Sequence, residues 1–195
     1  RGNVDRLRQV AARAQPPPAI ARARATATAA EWRHRAQMEL AADAPDLAYQ
    51  DFIAALAAAP DEVEALDGLG RAAAAAGRLE DADAYLRARA STNGSVAALT
   101  ELSAVQAARG QMADAATTAQ RAAGLDPSNV HALEQLIAVL ADSGNDAALE
   151  QLGALLTQAS PDGPLATRCE MRLAYLRGDF ARAAQLAERL ASVRR

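Results

Sequence analysis

The sequence predicts an all-α array of stacked helix pairs, and three observations predict it. Gly77, Gly110, Gly144 and Gly178 recur at intervals of 33, 34 and 34 residues, each between two alanine-rich apolar runs. A fixed period of that length marks repeated supersecondary units rather than one globular fold. Four further columns keep the same register: Trp32, Leu66, Leu99, Leu133 and Thr167; Ala36, Gly70, Ser103, Ile137 and Met171; Ala48, Ala82, Ala115, Leu149 and Ala183; Phe52, Leu86, Ala119, Gly153 and Ala187. The composition also favours helix. Alanine exceeds a quarter of the 195 residues and aromatics are only 3%. Alanine is the strongest helix former and buries little area, so such a chain packs helices closely through small contacts, with leucines as knobs.

Taken in order, residues 1–28 precede the register. Asn3 to Ala14 reads as one short helix, Gln15-Pro16-Pro17-Pro18 as a stiff break, and Ala19 to Ala42 as a long helix running into the first unit. The early helix is either a cap on the array or the tail of an upstream domain. Five units follow over residues 29–195, at about 29–62, 63–95, 96–129, 130–163 and 164–195. Within the second, Leu66, Leu69, Gly70 and Ala73 fall at i, i+3, i+4 and i+7 and make one apolar stripe. Leu69, and Leu102 one unit later, are core knobs. Gly70 and Ser103 are small enough to let a neighbouring helix approach. Gly77 lies just past the stripe, where a left-handed cap favours glycine. A second helix runs from Leu79 to Ala90 with Ala82 and Leu86 inward. Pro60, Pro127 and Pro161, with Gly94 standing in once, close the units because proline lacks the donor N–H. Asp61 and Asn129 are N-cap candidates.

These columns resemble the tetratricopeptide repeat (TPR), a family of 34-residue helix pairs. The second unit carries the likeness in Leu66, Leu69, Gly70, Gly77, Ala82 and Leu86. The third carries it in Leu99, Leu102, Ser103, Gly110, Ala115, Ala122 and Pro127, and the fourth in Leu133, Leu136, Gly144, Leu156 and Pro161. The outer units depart, at Arg35 and Asp43 in the first and at Thr167 and Glu170 in the fifth; Arg89, Ile137 and Gly153 depart locally. The resemblance implies a right-handed α-solenoid of about five helix-turn-helix units, with an N-terminal helical extension. It also implies that the first helices line a groove where a protein or peptide partner binds.

The residues themselves point away from catalysis. His34 and His131 have no cysteine or histidine at ligand spacing, so no metal is expected. Cys169, the single cysteine, has no thiol to pair with and no histidine partner, and reads as a small helix-facing residue. Gly68-Leu69-Gly70 lies inside a helix and lacks the strand-turn-helix setting of a phosphate loop. Glu80, Asp81 and Asp83 sit at a helix N-terminus, where they complement the dipole. No cofactor is implied. All 21 basic residues are arginine, which reads as the codon bias of a GC-rich bacterial genome. With a formal charge of −3 and few aromatics, it does not indicate nucleic-acid binding. No apolar run reaches the length of a transmembrane helix. The compartment stays open between cytoplasm and periplasm.

What remains is a surface. By helical phase the groove face holds Arg33, Gln37, Glu64, Asp67, Arg71, Thr100, Glu101, His131, Glu134, Arg168 and Arg172. Acidic groups concentrate at its middle and arginines at both ends. Asp67 and Arg71 are spaced for an i, i+4 ion pair worth about 0.3–0.5 kcal/mol. Arg168 and Arg172, one turn apart, are placed to hold one carboxylate. The expected function is a non-enzymatic scaffold for a protein or peptide partner. Two other readings stand beside it. One is an appended regulatory or assembly arm of a larger enzyme, transporter or secretion system, suggested by the start at Arg1 and the proline break. The other is homo-oligomerisation through the ends of the array.

Overall fold

A computed structural model describes residues 27–60 and 62–193. Among the described residues there are ten helices and no strands: α1 (Ala29–Ala41), α2 (Pro45–Ala58), α3 (Val63–Ala75), α4 (Leu79–Asn93), α5 (Val96–Ala108), α6 (Met112–Leu125), α7 (Val130–Asp142), α8 (Asp146–Ala159), α9 (Pro164–Leu176) and α10 (Phe180–Val193). The chain forms two compact units whose boundary falls inside α5, between Val105 and Gln106. In the first, α1 packs on α2 and α3, α2 on α3, and α3 on α4. In the second, α6 packs on α7, α7 on α8 and α9, α8 on α9, and α9 on α10. Within each unit a first helix therefore touches its own second helix and the next first helix.

The glycine column sets the turn inside each pair. Gly77, Gly110, Gly144 and Gly178 all have φ between +67° and +77°, where a side chain is strained and glycine is not. At Gly77 its N–H donates to Ala74 O (3.1 Å) and the Arg78 N–H donates to Ala73 O (2.8 Å). This 5→2, 6→1 pattern satisfies carbonyls that the helix end would otherwise strand. The other three glycines repeat it. The first pair makes the same turn on Asp43, at φ 57°, with Asp43 N–H to Leu40 O and Ala44 N–H to Glu39 O. Asp43, a departure in sequence, is thus the fifth member of the column.

The proline column works through the residue before it. Ala59, Asp126 and Ser160 cap α2, α6 and α8 in extended conformation. Proline at the next position excludes the helical region for each of them. Other caps come from polar side chains. Thr28 forms a capping box with Glu31, and Asn129 and Asn145 accept from Ala132 N–H (3.1 Å) and Ala148 N–H (3.3 Å).

Two expectations are corrected here. The helix read from Ala19 to Ala42 does not run through Thr28, which is extended and starts α1 afresh at Ala29. The capping hydroxyl is the physical reason. The cap position of α3 is Glu62, which makes no side-chain cap bond, while Asp61 lies outside the described residues. So do the helix read at Asn3 to Ala14, the proline break at residues 15–18, and residues 19–26.

Helix approach is set by exchanging volume between columns. A Cβ on Gly68 would sit 2.2 Å from the Phe52 ring, and one on Gly70 would sit 2.7 Å from Leu86 Cδ2. Phe52, Leu69 and Leu86 are fully buried as a result. In the second unit the exchange is reversed: a Cβ on Gly153 would lie 3.3 Å from the Cys169 Cβ. There Leu133, Leu136, Ile137, Leu140, Leu149 and Cys169 make an aliphatic core with Ala119 and Ala123.

Candidate partner-binding face

Most of the charged residues expected on the first-helix face are tied to a neighbouring helix. In the first unit Arg33 of α1 pairs with Glu62 (3.1 Å) and with Glu64 at the start of α3. Arg71 of α3 lies 3.7 Å from Glu101 of α5. In the second unit Arg168 of α9 pairs with Glu134 of α7. Each is an acid–arginine link between successive first helices, so the row of charge is also a set of staples.

The i, i+4 pair expected between Asp67 and Arg71 is replaced. Asp67 accepts from Arg89 Nε at 2.5 Å, reaching across to α4, and Arg71 turns to Glu101. Arg89 is only 9% exposed, in a column it shares with the fully buried Ala55 and Ala122 and the half-buried Leu156 and Leu190. A buried guanidinium needs a carboxylate, and Asp67 supplies it. An arginine in a column otherwise of alanine and leucine was the signal for this partner, visible in the sequence only as a departure.

Glu101 occupies the register position of Gly68 and Cys169, both buried. A carboxylate there is drawn out of water, and burial raises its pKa to about 7. The nearby Asp67 charge pushes the same way, and Arg71 opposes both. Thr100 is a correction. It is 3% exposed, and its hydroxyl donates back to the Val96 carbonyl at 2.8 Å. Its short side chain is held against its own helix and is removed from the surface.

Gln37 and His131 are exposed and Arg172 is half-buried. None of the three has a bonded partner among the described residues. Arg168 and Arg172 therefore do not act as an equal pair, because Glu134 already holds the first. Elsewhere the surroundings are inert. No group of three metal-ligating side chains occurs among the described residues. Cys169 is buried, which pushes its thiol up to about 11, far from the thiolate a nucleophile needs. Glu80 and Asp81 lie in the first turn of α4, and Asp83 bonds Arg87 at 2.9 Å. No described helix is long and apolar enough to cross a membrane.

No protein-family model and no curated protein matches the sequence. Solved structures do match. A tetratricopeptide repeat protein from Parabacteroides merdae superposes with a TM-score of 0.69 at 16% identity, over 84% of this chain and 66% of that one. YrrB, described as a TPR protein with an unusual peptide-binding site, gives 0.62 at 16% identity over 85% and 86%. MamA from Desulfovibrio magneticus RS-1 gives 0.66 at 16% identity over 85% and 94%. At such identities the likeness is one of backbone architecture. The chain has the tetratricopeptide-repeat fold, an all-α solenoid of helix-turn-helix units.

Proposed function

We propose that this chain is a non-enzymatic scaffold whose first-helix faces bind a protein or peptide segment. One observation carries the reading. On those faces the charged side chains are held in place by staples between helices, while Gln37, His131 and Arg172 have no bonded partner among the described residues. Polar groups fixed by their neighbours lose little freedom on binding, which is how a preorganised surface gains affinity. The first unit offers Arg33, Gln37, Glu64, Asp67, Arg71 and Glu101. The second offers His131, Glu134, Arg168 and Arg172. The fold shared with a protein described as having a peptide-binding site supports the same reading.

The test is selection of a random peptide library against the intact chain, followed by calorimetry on the peptides that enrich. The double charge reversal Glu101→Lys, Glu134→Lys should weaken such peptides tenfold or more, about 1.4 kcal/mol, with circular dichroism unchanged. Repeated selections that enrich nothing, or affinities that the double variant leaves intact, would overturn the proposal.

A further inference from the structure

Charge is divided unevenly along the chain. Residues 1–26 hold six arginines against the single acid Asp5, a formal charge of +5. Residues 27–105, the rest of the first unit, hold six arginines against thirteen acids, a formal charge of −7. Residues 106–195 are nearly balanced, with nine arginines and ten acids. The acidic excess of the first unit reaches its first-helix face. Arg33 is shared between two carboxylates, Glu62 (3.1 Å) and Glu64. Glu62 Oε2 is buried with no hydrogen bond among the described residues, and a buried acceptor without a donor costs free energy. Arg71 stands 3.7 Å from Glu101, longer than a hydrogen bond, so that carboxylate has room for a second donor. Arg33 lies one turn into α1 and meets the residues that start α3, so the two helices begin side by side. Residues 1–26 therefore lead into α1 beside Glu62 and Glu64.

We propose that the basic segment 1–14 docks on the first-helix face of the first unit of its own chain, as a built-in competitor for the partner. Its arginines, Arg1, Arg6, Arg8 and Arg13, are donors suited to the carboxylates of Glu62, Glu64 and Glu101. Reach is no obstacle. Residues 15–26 can extend to about 40 Å, and three first helices spaced at about 10 Å span about 20 Å. The tether sets an effective concentration of about 1 mM, so ion pairs too weak to hold a free peptide still fill the face. Opposite net charges draw the segment and the unit together, and salt screens that attraction. The competition rests on the partner-binding function proposed above; the docking does not.

The experiment puts a nitroxide label on Gln9→Cys in the full 195-residue chain and reads the amide signals by NMR. Cys169 is buried and escapes the label. At low salt the amides around Glu64 and Glu101 should be broadened. The broadening should disappear at about 1 M salt, where charges act only within about 3 Å. It should also disappear in the variant Arg6→Glu, Arg8→Glu, Arg13→Glu. That variant should bind library-selected peptides about threefold more tightly or better, because the face is no longer partly occupied. Broadening confined to α1 and α2, as an end cap would give, overturns the proposal. So does broadening centred on the second unit, broadening that survives salt and charge reversal, or its transfer to unlabelled copies in a mixture. Peptide affinity that charge reversal leaves unchanged overturns the competition. Selections that enrich no peptide would overturn the function proposed above, and the label would still decide the docking.

Discussion

The first unit buries all four of its aromatic rings, Trp32, Tyr49, Phe52 and Tyr85, whereas both rings of the second unit, Tyr175 and Phe180, are exposed. The second unit fills its core instead with Leu133, Leu136, Ile137, Leu140 and Leu149. Their charges differ as well. The first unit links α1, α3 and α5 through Arg33–Glu64 and Arg71–Glu101. It also holds two shielded pairs: Arg89–Asp67, and Arg35 with Asp51, a carboxylate only 1% exposed. The second links α7 and α9 through Glu134–Arg168 and leaves Arg172 without an acid among the described residues. One helical period is therefore satisfied by two packing chemistries. A bulky ring needs a glycine opposite it, and a glycine on the second helix admits a thiol opposite it. The backbone repeat fixes where volume is exchanged and not which side supplies it.

The largest effect should come from emptying the two cores. Phe52→Ala removes a fully buried ring that Gly68 cannot replace, and should cost about 3–5 kcal/mol. Leu149→Ala in the second unit should cost about 2–5 kcal/mol. Repeat proteins sum local and nearest-neighbour terms, so hydrogen exchange should localise the damage. Protection should fall in α1–α3 for Phe52→Ala and in α7–α9 for Leu149→Ala. Equal loss across the whole chain from either variant would break the distinction between the units.

An intermediate effect belongs to Glu101, the half-buried carboxylate of the first unit. Its folded pKa of about 7 lies above the ordinary value of 4.5, so the folded state holds more protons than the unfolded one between those two values. Stability therefore falls as pH rises from about 4.5 to about 7. The side chain keeps 31% of its exposure, and solvent screening brings the loss to roughly 1–3 kcal/mol. Glu101→Gln keeps the shape and abolishes the titration. Chemical denaturation at pH 5 and pH 8 should show the variant gaining on the wild type at the higher pH. The 3.7 Å link to the exposed Arg71 that it gives up is worth little. A gain that is the same at both pH values would mean that Glu101 titrates normally.

Much of the fold was legible because it rests on steric rules that repeat. A left-handed turn wants glycine, an extended cap wants proline after it, and a close helix approach wants Gly70 or Ser103. Each leaves a mark at a fixed interval. The binding face was less legible because the choice of ionic partner depends on side chains from another helix. Asp67 had a sequence neighbour at the right spacing, Arg71, yet bonds Arg89 of α4, because a guanidinium that is 9% exposed gains more from a carboxylate than an exposed one does. Thr100 shares the phase of Asp67 and Glu134 but is too short to leave its helix. The start of α1 turned on one hydroxyl, Thr28, inside a run of alanines that favours helix on both sides.

The smallest effect is also the cleanest test of the turn column. Asp43 makes at φ 57° the turn that four glycines make elsewhere. An L side chain there carries strain, reduced for aspartate because its short polar group tolerates the left-handed region. Asp43→Gly should stabilise the first unit by about 0.5–1 kcal/mol, the strain relieved being partly offset by the greater freedom of glycine in the unfolded chain. Gly144→Ala runs the change backwards in the second unit. A Cβ there would meet nothing within 4 Å, so any cost is backbone strain alone, about 1 kcal/mol. Opposite signs from the two substitutions in urea denaturation would establish that the turns are the same device in both units. Destabilisation by Asp43→Gly would mean instead that the carboxylate contributes to its turn in a way the glycines do not.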